Sequence, residues 1–315
     1  MKILFTRNET FANEYQADSV FHGLVQLGHE VVDVPRLWYM YNDGSEGPGQ
    51  FKSHTELHGR GFTMYRLLEQ DLVDRTDIEN KIRTGYFDLC ILARADFGSP
   101  YEELILQHYP ASQVIILCGK DQPDLTHHRD STHLIGKGTY FKRELPSHIL
   151  DSYPDIKPIS FAFPKEKIIH PADCEKQQLL SGAKPVFKDA NGVAHYSFDN
   201  ELDYYKEYAR SYFGETQMKG GWDCMRHYEI IAAGCVPIFR GIEYCPEHTC
   251  AFLPKEELLA VNGLIAEHGL DWFTHGTGLD VYHELQSRIF EHFKNHCTTE
   301  AMAKYVLDTH ADMHR

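Results

Sequence analysis

The chain has 315 residues, of which 42% are hydrophobic and 12% aromatic, and its formal net charge is −15. These values are typical of a globular protein long enough for two domains, and no apolar run reaches the roughly 20 residues that cross a membrane. The acidic balance argues against nucleic acid and anionic membranes as partners, because both are bound through basic surface.

Cysteine and histidine spacing indicates neither a disulfide framework nor a metal centre. The eight cysteines include no C-x-x-C pair, so reduced thiols are expected. His127, His128 and His133 are clustered, but no cysteine or carboxylate lies at ligand spacing, so we predict no metal there. The amino terminus MKILFTRNETF predicts a first strand instead of a secretory signal, which favours a cytoplasmic location.

The first half of the chain has the pattern of a nucleotide-binding α/β layer. Residues 2–7 and 29–34 are short apolar strands, and residues 12–27 between them fit a helix that Gly28 closes. Residues 87–93 and 113–118 predict two further buried strands. Helices are also predicted at 61–69 and 77–83, and the Gly-, Ser- and Pro-rich loop 43–60 is a candidate for acceptor recognition.

Acidic residues follow three of these predicted strands. Glu9, Asp96 and Asp121 lie at the carboxyl ends of strands, where open α/β sheets bind ligands. Each carboxylate could instead cap the following helix, which is the commoner role for any single one. The first loop lacks the G-x-G-x-x-G turn of a dinucleotide site, which counts against a Rossmann oxidoreductase.

A proline-rich segment at 146–171 predicts the crossover to a second domain. We therefore divide the chain into an N-terminal domain at 1–150 and a C-terminal domain at 151–315. In the second domain, helices are predicted at 201–210, 254–267, 281–293 and 299–307, with a short strand at 251–253.

The most informative stretch is 219–239, KGGWDCMRHYEIIAAGCVPIF. A β-rich run at 212–218 leads into a glycine pair, and Asp223 is placed to cap a helix over 224–233. Gly234 then ends the helix, and residues 235–239 form a second strand. The stretch predicts strand, turn, helix and strand, which is half of a parallel layer.

Two charged residues on this predicted helix suggest a ligand. Arg226 and Glu229 are three residues apart and lie on one helical surface beside the glycine turn. Turn amides and a helix start bind anions, so arginine could hold a diphosphate and glutamate a ribose. A solvated i,i+3 ion pair is an equally simple interpretation of the spacing alone.

The motif R-x-x-E followed by I-I-A-A-G-C-V-P-I-F resembles the nucleotide-sugar motif of GT-B glycosyltransferases, near the exostosin-like and CgeB-like group. Further runs that resemble this group are YFKREL at 140–145, PISFA at 158–162, HGRGFT at 58–63 and FDNELDYYKEY at 198–208. The resemblance implies an α/β, GT-B-like fold of two Rossmann-type domains facing a cleft. The acceptor would bind the first domain and the sugar donor the second.

The resemblance also implies roles for individual residues. Arg226 would meet the donor diphosphate and Glu229 its ribose, with the rest of the donor site formed by Lys219, Gly220, Gly221, Trp222 and Asp223. Many retaining members carry a second glutamate eight positions earlier, where this chain has Gly221. Asp96 and Glu9 are the candidates for a catalytic base.

We therefore expect a glycosyltransferase of glycan biosynthesis that moves a sugar from a nucleoside-diphosphate sugar to a hydroxyl acceptor. The chain has no D-x-D triplet, which agrees with a metal-independent site that needs no cofactor. The alternative is a catalytically inactive protein of the same fold that binds a glycan or a protein partner.

Overall fold

Contacts divide the chain into two compact units. The structure, a computed structural model, describes residues 1–8, 13–47, 53–69, 73–126, 128–183, 187–188, 194–195 and 197–315. Unit 1 comprises Met1–Pro164, Pro246–Ala251 and Thr299–Arg315, and unit 2 comprises Lys165–Cys245 and Phe252–Thr298. The sequence-based division after residue 150 differs from this one, because unit 1 extends to Pro164 and also includes Pro246–Ala251 and the last helix of the chain.

Helices and strands alternate along most of the chain. The strands are β1 (Lys2–Thr6), β2 (Glu30–Val34), β3 (Leu89–Leu92), β4 (Val114–Cys118), β5 (Thr139–Lys142), β6 (Lys157–Pro158), β7 (Gln178–Leu180), β8 (Phe187–Lys188), β9 (Ala194–His195), β10 (Ser211–Gln217) and β11 (Val236–Arg240). The helices are α1 (Tyr15–Gln26), α2 (Ile78–Arg83), α3 (Glu102–His108), α4 (Ser147–Ser152), α5 (Glu201–Ala209), α6 (Met225–Ala232), α7 (Lys255–His268), α8 (Gly276–His296) and α9 (Thr299–Met313). Within the described ranges, none of the helices combines the length and apolar character needed to span a bilayer.

Unit 1 is built on a parallel sheet in the order β2-β1-β3-β4-β5-β6. Neighbouring strands run parallel throughout, and the central strands are fully buried, as a sheet covered on both faces requires. Leu4, Cys90 and Ile116 are among the side chains that form its apolar core. The carboxyl ends of β1, β3 and β4 therefore lie along one edge of the sheet.

The last helix packs on the first within unit 1. Gly23 on α1 lies so close to α9 that a β-carbon at this position would stand 1.9 Å from the carbonyl oxygen of Thr299. The His22 ring also hydrogen-bonds the Thr299 hydroxyl, at 2.9 Å. A helix that packs against the opposite end of the chain leaves no local signal, so the sequence alone places α9 in the second domain.

Two predicted elements are wrong. Residues 61–69 form turns instead of a helix, because Thr63 and Arg66 have φ values of 78° and 53°, which interrupt helical hydrogen bonding. Leu68 instead pairs with Tyr41 in an isolated parallel bridge. Residues 251–253 are a turn and not a strand, and they follow Cys250, whose φ is 51°.

Unit 2 contains a parallel sheet in the order β11-β10-β7 and a short antiparallel pair, β8 with β9. α6 connects β10 to β11, so these three elements form one βαβ unit. This arrangement confirms the strand, turn, helix and strand predicted from the sequence. It also places the 218–224 turn beyond the carboxyl end of β10, where α/β sheets bind ligands.

Candidate functional site

The turn between β10 and α6 leaves the helix without a side-chain cap. The N-cap residue of α6 is Cys224, whose side chain makes no capping hydrogen bond. Asp223, predicted as the cap, is buried, and its carboxylate accepts a hydrogen bond from the Tyr228 hydroxyl at 2.8 Å. The prediction that Asp223 caps the helix is therefore wrong. A helix start without a capping side chain offers its amide hydrogens to an anion.

Hydrogen bonds within the turn and from α6 fix its backbone. The Lys219 amide donates to the Gly221 carbonyl at 3.0 Å, and the Cys224 thiol donates to the same carbonyl. His227 is fully buried, with Nε2 at 2.8 Å from the Trp222 carbonyl oxygen. Because a carbonyl only accepts hydrogen bonds, Nε2 must carry the proton.

The same histidine connects the turn to both strands. Its Nδ1 lies 2.8 Å from the Thr216 hydroxyl at the end of β10, and its ring stacks on Phe239 of β11 at 4.1 Å between centroids. Trp222 is half-buried, with its ring 6.4 Å from that of Phe239. His227 is not predicted from the sequence, since a single histidine on an apolar helix carries no distinct signal.

Two cationic side chains of the predicted set lie close enough to influence each other. Arg226 is only 7% exposed; burial disfavours its charge, but Tyr204, Tyr208 and Glu229 outweigh this effect and raise its pKa. Surrounding protein atoms and then the charge of Arg226 lower the pKa of Lys219. Lys219 is an exposed residue, and the nearby charge of Arg226 also disfavours its protonated form. Two converging cations favour an anion between them.

Glu229 lies one turn along α6 from Arg226 and is 6% exposed. The Tyr204 hydroxyl, from α5, donates a hydrogen bond to its Oε2 at 2.7 Å. Tyr208, four residues further along α5, donates to the Tyr204 oxygen at 3.4 Å. A nearly buried carboxylate held in this way is a directed hydrogen-bond acceptor, which a solvated surface ion pair is not.

Lys219, Arg226 and Glu229 thus lie together in unit 2 with the uncapped start of α6. Gly220 and Gly221 form the turn beside them, and the Asp223 carboxylate accepts a hydrogen bond from Tyr228. Tyr204 joins this set although the sequence analysis did not select it. The available signal was the Y-Y-K-E-Y run of α5, which places two tyrosines on one face of a helix.

The predicted catalytic candidates belong to unit 1. Asp96 is 1% exposed, and its two carboxylate oxygens accept hydrogen bonds from Arg94 at 3.1 Å each. Glu9 lies outside the described residues. Asp96 lines a cavity of about 470 Å³ at the carboxyl edge of the unit 1 sheet. Its ionisable lining consists of three cations, three carboxylates and two histidines: Arg94, Lys120, Arg143, Glu14, Asp96, Asp121, His58 and His128.

The histidine-rich segment of unit 1 makes ordinary side-chain contacts. His128 stacks on Phe97 and His133 lies 3.0 Å from the Glu102 carboxylate, whereas His127 lies outside the described residues. In the part of the chain that the structure describes, no three histidine, cysteine or acidic side chains are grouped as metal ligands.

Known proteins share the fold of this chain without detectable sequence similarity. No family model and no curated protein matches the sequence, so the resemblance to the exostosin-like and CgeB-like group stays a prediction. The structure is similar to an α-glucosyltransferase in complex with UDP and a 13-mer DNA containing an HMU base, with a TM-score of 0.52 and 10% identity over 99% of both chains. It is also similar to an α-glucosyltransferase in complex with UDP, with a TM-score of 0.50 and 10% identity over 99% of this chain and 100% of the other.

The first of these structures overturns one sequence-based expectation. An enzyme with this fold has been crystallised with DNA, so the exclusion of nucleic acid as a partner is wrong. The physical reason is that net charge sums the whole surface, whereas binding depends on the local arrangement of charges. In unit 1, for example, the three cations Arg94, Lys120 and Arg143 line one cavity together with three carboxylates, so its local charge is balanced although the net charge of the protein is −15. The comparisons establish that the chain has the GT-B type of α/β fold.

Proposed function

We propose that this protein is a glycosyltransferase that uses a UDP-sugar as donor. The observation that carries the proposal is the convergence of Lys219, Arg226 and Glu229 at the uncapped start of α6, beyond the carboxyl end of β10. Such an edge is where α/β sheets bind nucleotides. Both similar structures contain UDP, which supports uridine as the nucleoside of the donor.

The proposed chemistry is displacement of UDP from the anomeric carbon of the sugar. Negative charge grows on the leaving diphosphate during the reaction. Preorganised hydrogen-bond donors beside the diphosphate therefore stabilise the transition state more than the ground state. These hydrogen-bond donors are Arg226, Lys219 and the first amides of α6. Glu229 accepts hydrogen bonds from the ribose hydroxyls. Because two cations are available for the diphosphate, we propose that the reaction needs no metal ion.

We assign the acceptor to the cavity of unit 1, whose lining balances cations and carboxylates. Asp96 and Glu9 stay our candidates for the base that deprotonates the acceptor hydroxyl. Arg94 donates one hydrogen bond to each oxygen of Asp96, and each oxygen keeps a second lone pair that an acceptor hydroxyl can meet. DNA containing an HMU base, as in the similar structure, is the first acceptor to test, beside glycans.

Turnover separates this proposal from an inactive binding protein with the same fold. We would incubate the protein with UDP-, GDP-, dTDP- and CMP-sugars, with and without DNA and glycan acceptors, and measure release of the nucleotide. The proposal predicts release from a UDP-sugar that an acceptor accelerates. Binding of UDP with no release under any condition would favour the inactive protein, and no binding of any nucleotide would contradict both the donor site and the activity.

The lowered pKa of Lys219 predicts a pH dependence of UDP binding. Only the protonated ammonium attracts the diphosphate. The protein should therefore bind UDP with full affinity at pH values below this pKa, and the affinity should decrease as the pH rises through it. That decrease should begin below the ordinary lysine value of about 10.4. Lys219→Arg should bind UDP with little change across the same alkaline range, because a guanidinium stays charged. The UDP dissociation constant measured by calorimetry between neutral and alkaline pH tests this; an equal decrease in both proteins would contradict it.

A further inference from the structure

The tyrosine pair on α5 contacts the proposed donor site but has no role in the chemistry described above. Tyr204 and Tyr208 occupy one face of α5, four residues apart, and their rings meet edge to face with centroids 5.0 Å apart. Both are buried, with Tyr208 at 0% exposure. Their hydroxyls form a chain of two hydrogen bonds that leads to α6. The Tyr208 hydroxyl donates to the Tyr204 oxygen, and the Tyr204 hydroxyl donates to Glu229.

The Tyr204 hydroxyl lies close to two charged groups, Glu229 and Arg226. It donates to Glu229 Oε2 at 2.7 Å, and a hydrogen bond with Tyr204 is among the contributions that keep Arg226 charged. A phenol can donate one hydrogen bond and accept others, so it can link a carboxylate and a guanidinium without changing either charge. Burial raises the pKa of Tyr204 well above its ordinary value, so the hydroxyl keeps its proton.

A carboxylate on a helix can rotate about its side-chain bonds, and a free rotor loses entropy when it binds a ligand. A hydrogen bond to one oxygen fixes the plane of the carboxylate and leaves the remaining acceptor positions directed. Two adjacent hydroxyls of a ribose require such a fixed plane, because both must be met at once.

We propose that Tyr204 is a positioning residue that fixes Glu229 for recognition of the ribose of the donor nucleotide. This inference rests on the proposed function, since it concerns the same site. Tyr208 holds Tyr204 in place through its hydrogen bond. In this way α5 contributes to nucleotide selection, although none of its own groups touches the ribose. The specific consequence is discrimination between a ribose and a deoxyribose.

The test compares the binding of UDP with the binding of 2′-deoxy-UDP. We would measure the dissociation constants of both ligands by calorimetry for four proteins: wild type, Tyr204→Phe, Glu229→Gln and Tyr282→Phe. Tyr282→Phe is the matched control. It also removes one buried tyrosine hydroxyl from unit 2, but that hydroxyl donates to the Tyr212 carbonyl and not to Glu229. Thermal unfolding of each variant reports any general loss of stability.

Wild type should prefer UDP by about tenfold, because a missing hydroxyl leaves a hydrogen-bonding position of Glu229 unfilled. In Tyr204→Phe and in Glu229→Gln the preference should fall to about twofold or less, whereas Tyr282→Phe should keep the wild-type ratio even if it unfolds at a lower temperature. If Tyr204→Phe kept the wild-type ratio of the two dissociation constants while Glu229→Gln lost it, this inference would be overturned. The proposed donor site would still stand. Absence of any ribose preference in a wild type that binds UDP would overturn both the inference and the role of Glu229.

Discussion

Arg226→Ala should reduce kcat/KM with a UDP-sugar by about 100- to 1,000-fold, the usual effect of removing one preorganised donor from a developing negative charge. The side chain is nearly buried beside Glu229 and the second cation, Lys219, so water cannot replace the guanidinium without reorganising the site. Steady-state kinetics with the best donor from the turnover screen provide the measurement.

Two further variants make this result specific. Arg226→Lys keeps the charge but loses the planar fork that meets a diphosphate at two points, so its kcat/KM should fall between wild type and Arg226→Ala. Arg240→Ala removes an arginine from the same unit whose side chain is 63% exposed and pairs with Glu215 at the surface. It should leave the kinetics unchanged. An equal loss in Arg226→Ala and Arg240→Ala would mean that net charge matters and not a diphosphate contact.

Gly23→Ala should lower the free energy of unfolding by about 3 kcal/mol or more, because the added methyl group has no space. Its β-carbon would lie 1.9 Å from the Thr299 carbonyl oxygen and 2.8 Å from the Ala303 β-carbon, so α9 must move away from α1. Chemical denaturation followed by circular dichroism measures the change.

Gly263→Ala is the matched control for this prediction. Gly263 also lies in the interior of a helix, α7, but a β-carbon there would meet nothing within 4 Å. The substitution should stabilise the protein by up to about 1 kcal/mol, because alanine restricts the unfolded chain and favours helix. If Gly23→Ala were as well tolerated as Gly263→Ala, the close packing of α1 on α9 would be contradicted.

Local patterns predicted the elements that local chemistry determines. The βαβ unit β10–α6–β11 follows from apolar runs, a glycine turn and Gly234 after the helix, where φ is 66°. The turns at 61–69 were missed, since Thr63 and Arg66 have a left-handed backbone that the identity of neither residue indicates. The place of α9 was missed for a related reason: its partner α1 lies at the other end of the chain.

The candidate site was predicted as far as its charged residues and no further. Arg226 and Glu229 could be selected from their spacing and from the resemblance, but the spacing fitted a surface ion pair equally well. Their burial and the hydrogen bond from Tyr204 decide between these interpretations, and both depend on packing of α5 against α6. Asp223 was predicted to cap α6, but the N-cap residue is Cys224, and the Asp223 carboxylate accepts a hydrogen bond from the Tyr228 hydroxyl.

A crystal structure of the protein, determined from crystals soaked with UDP, tests the donor site most directly. We predict that the diphosphate lies about 3 Å from the Arg226 guanidinium, beside the start of α6, and that the ribose hydroxyls donate to Glu229. UDP bound at any other place, or a diphosphate that contacts neither Arg226 nor Lys219, would contradict the proposed site.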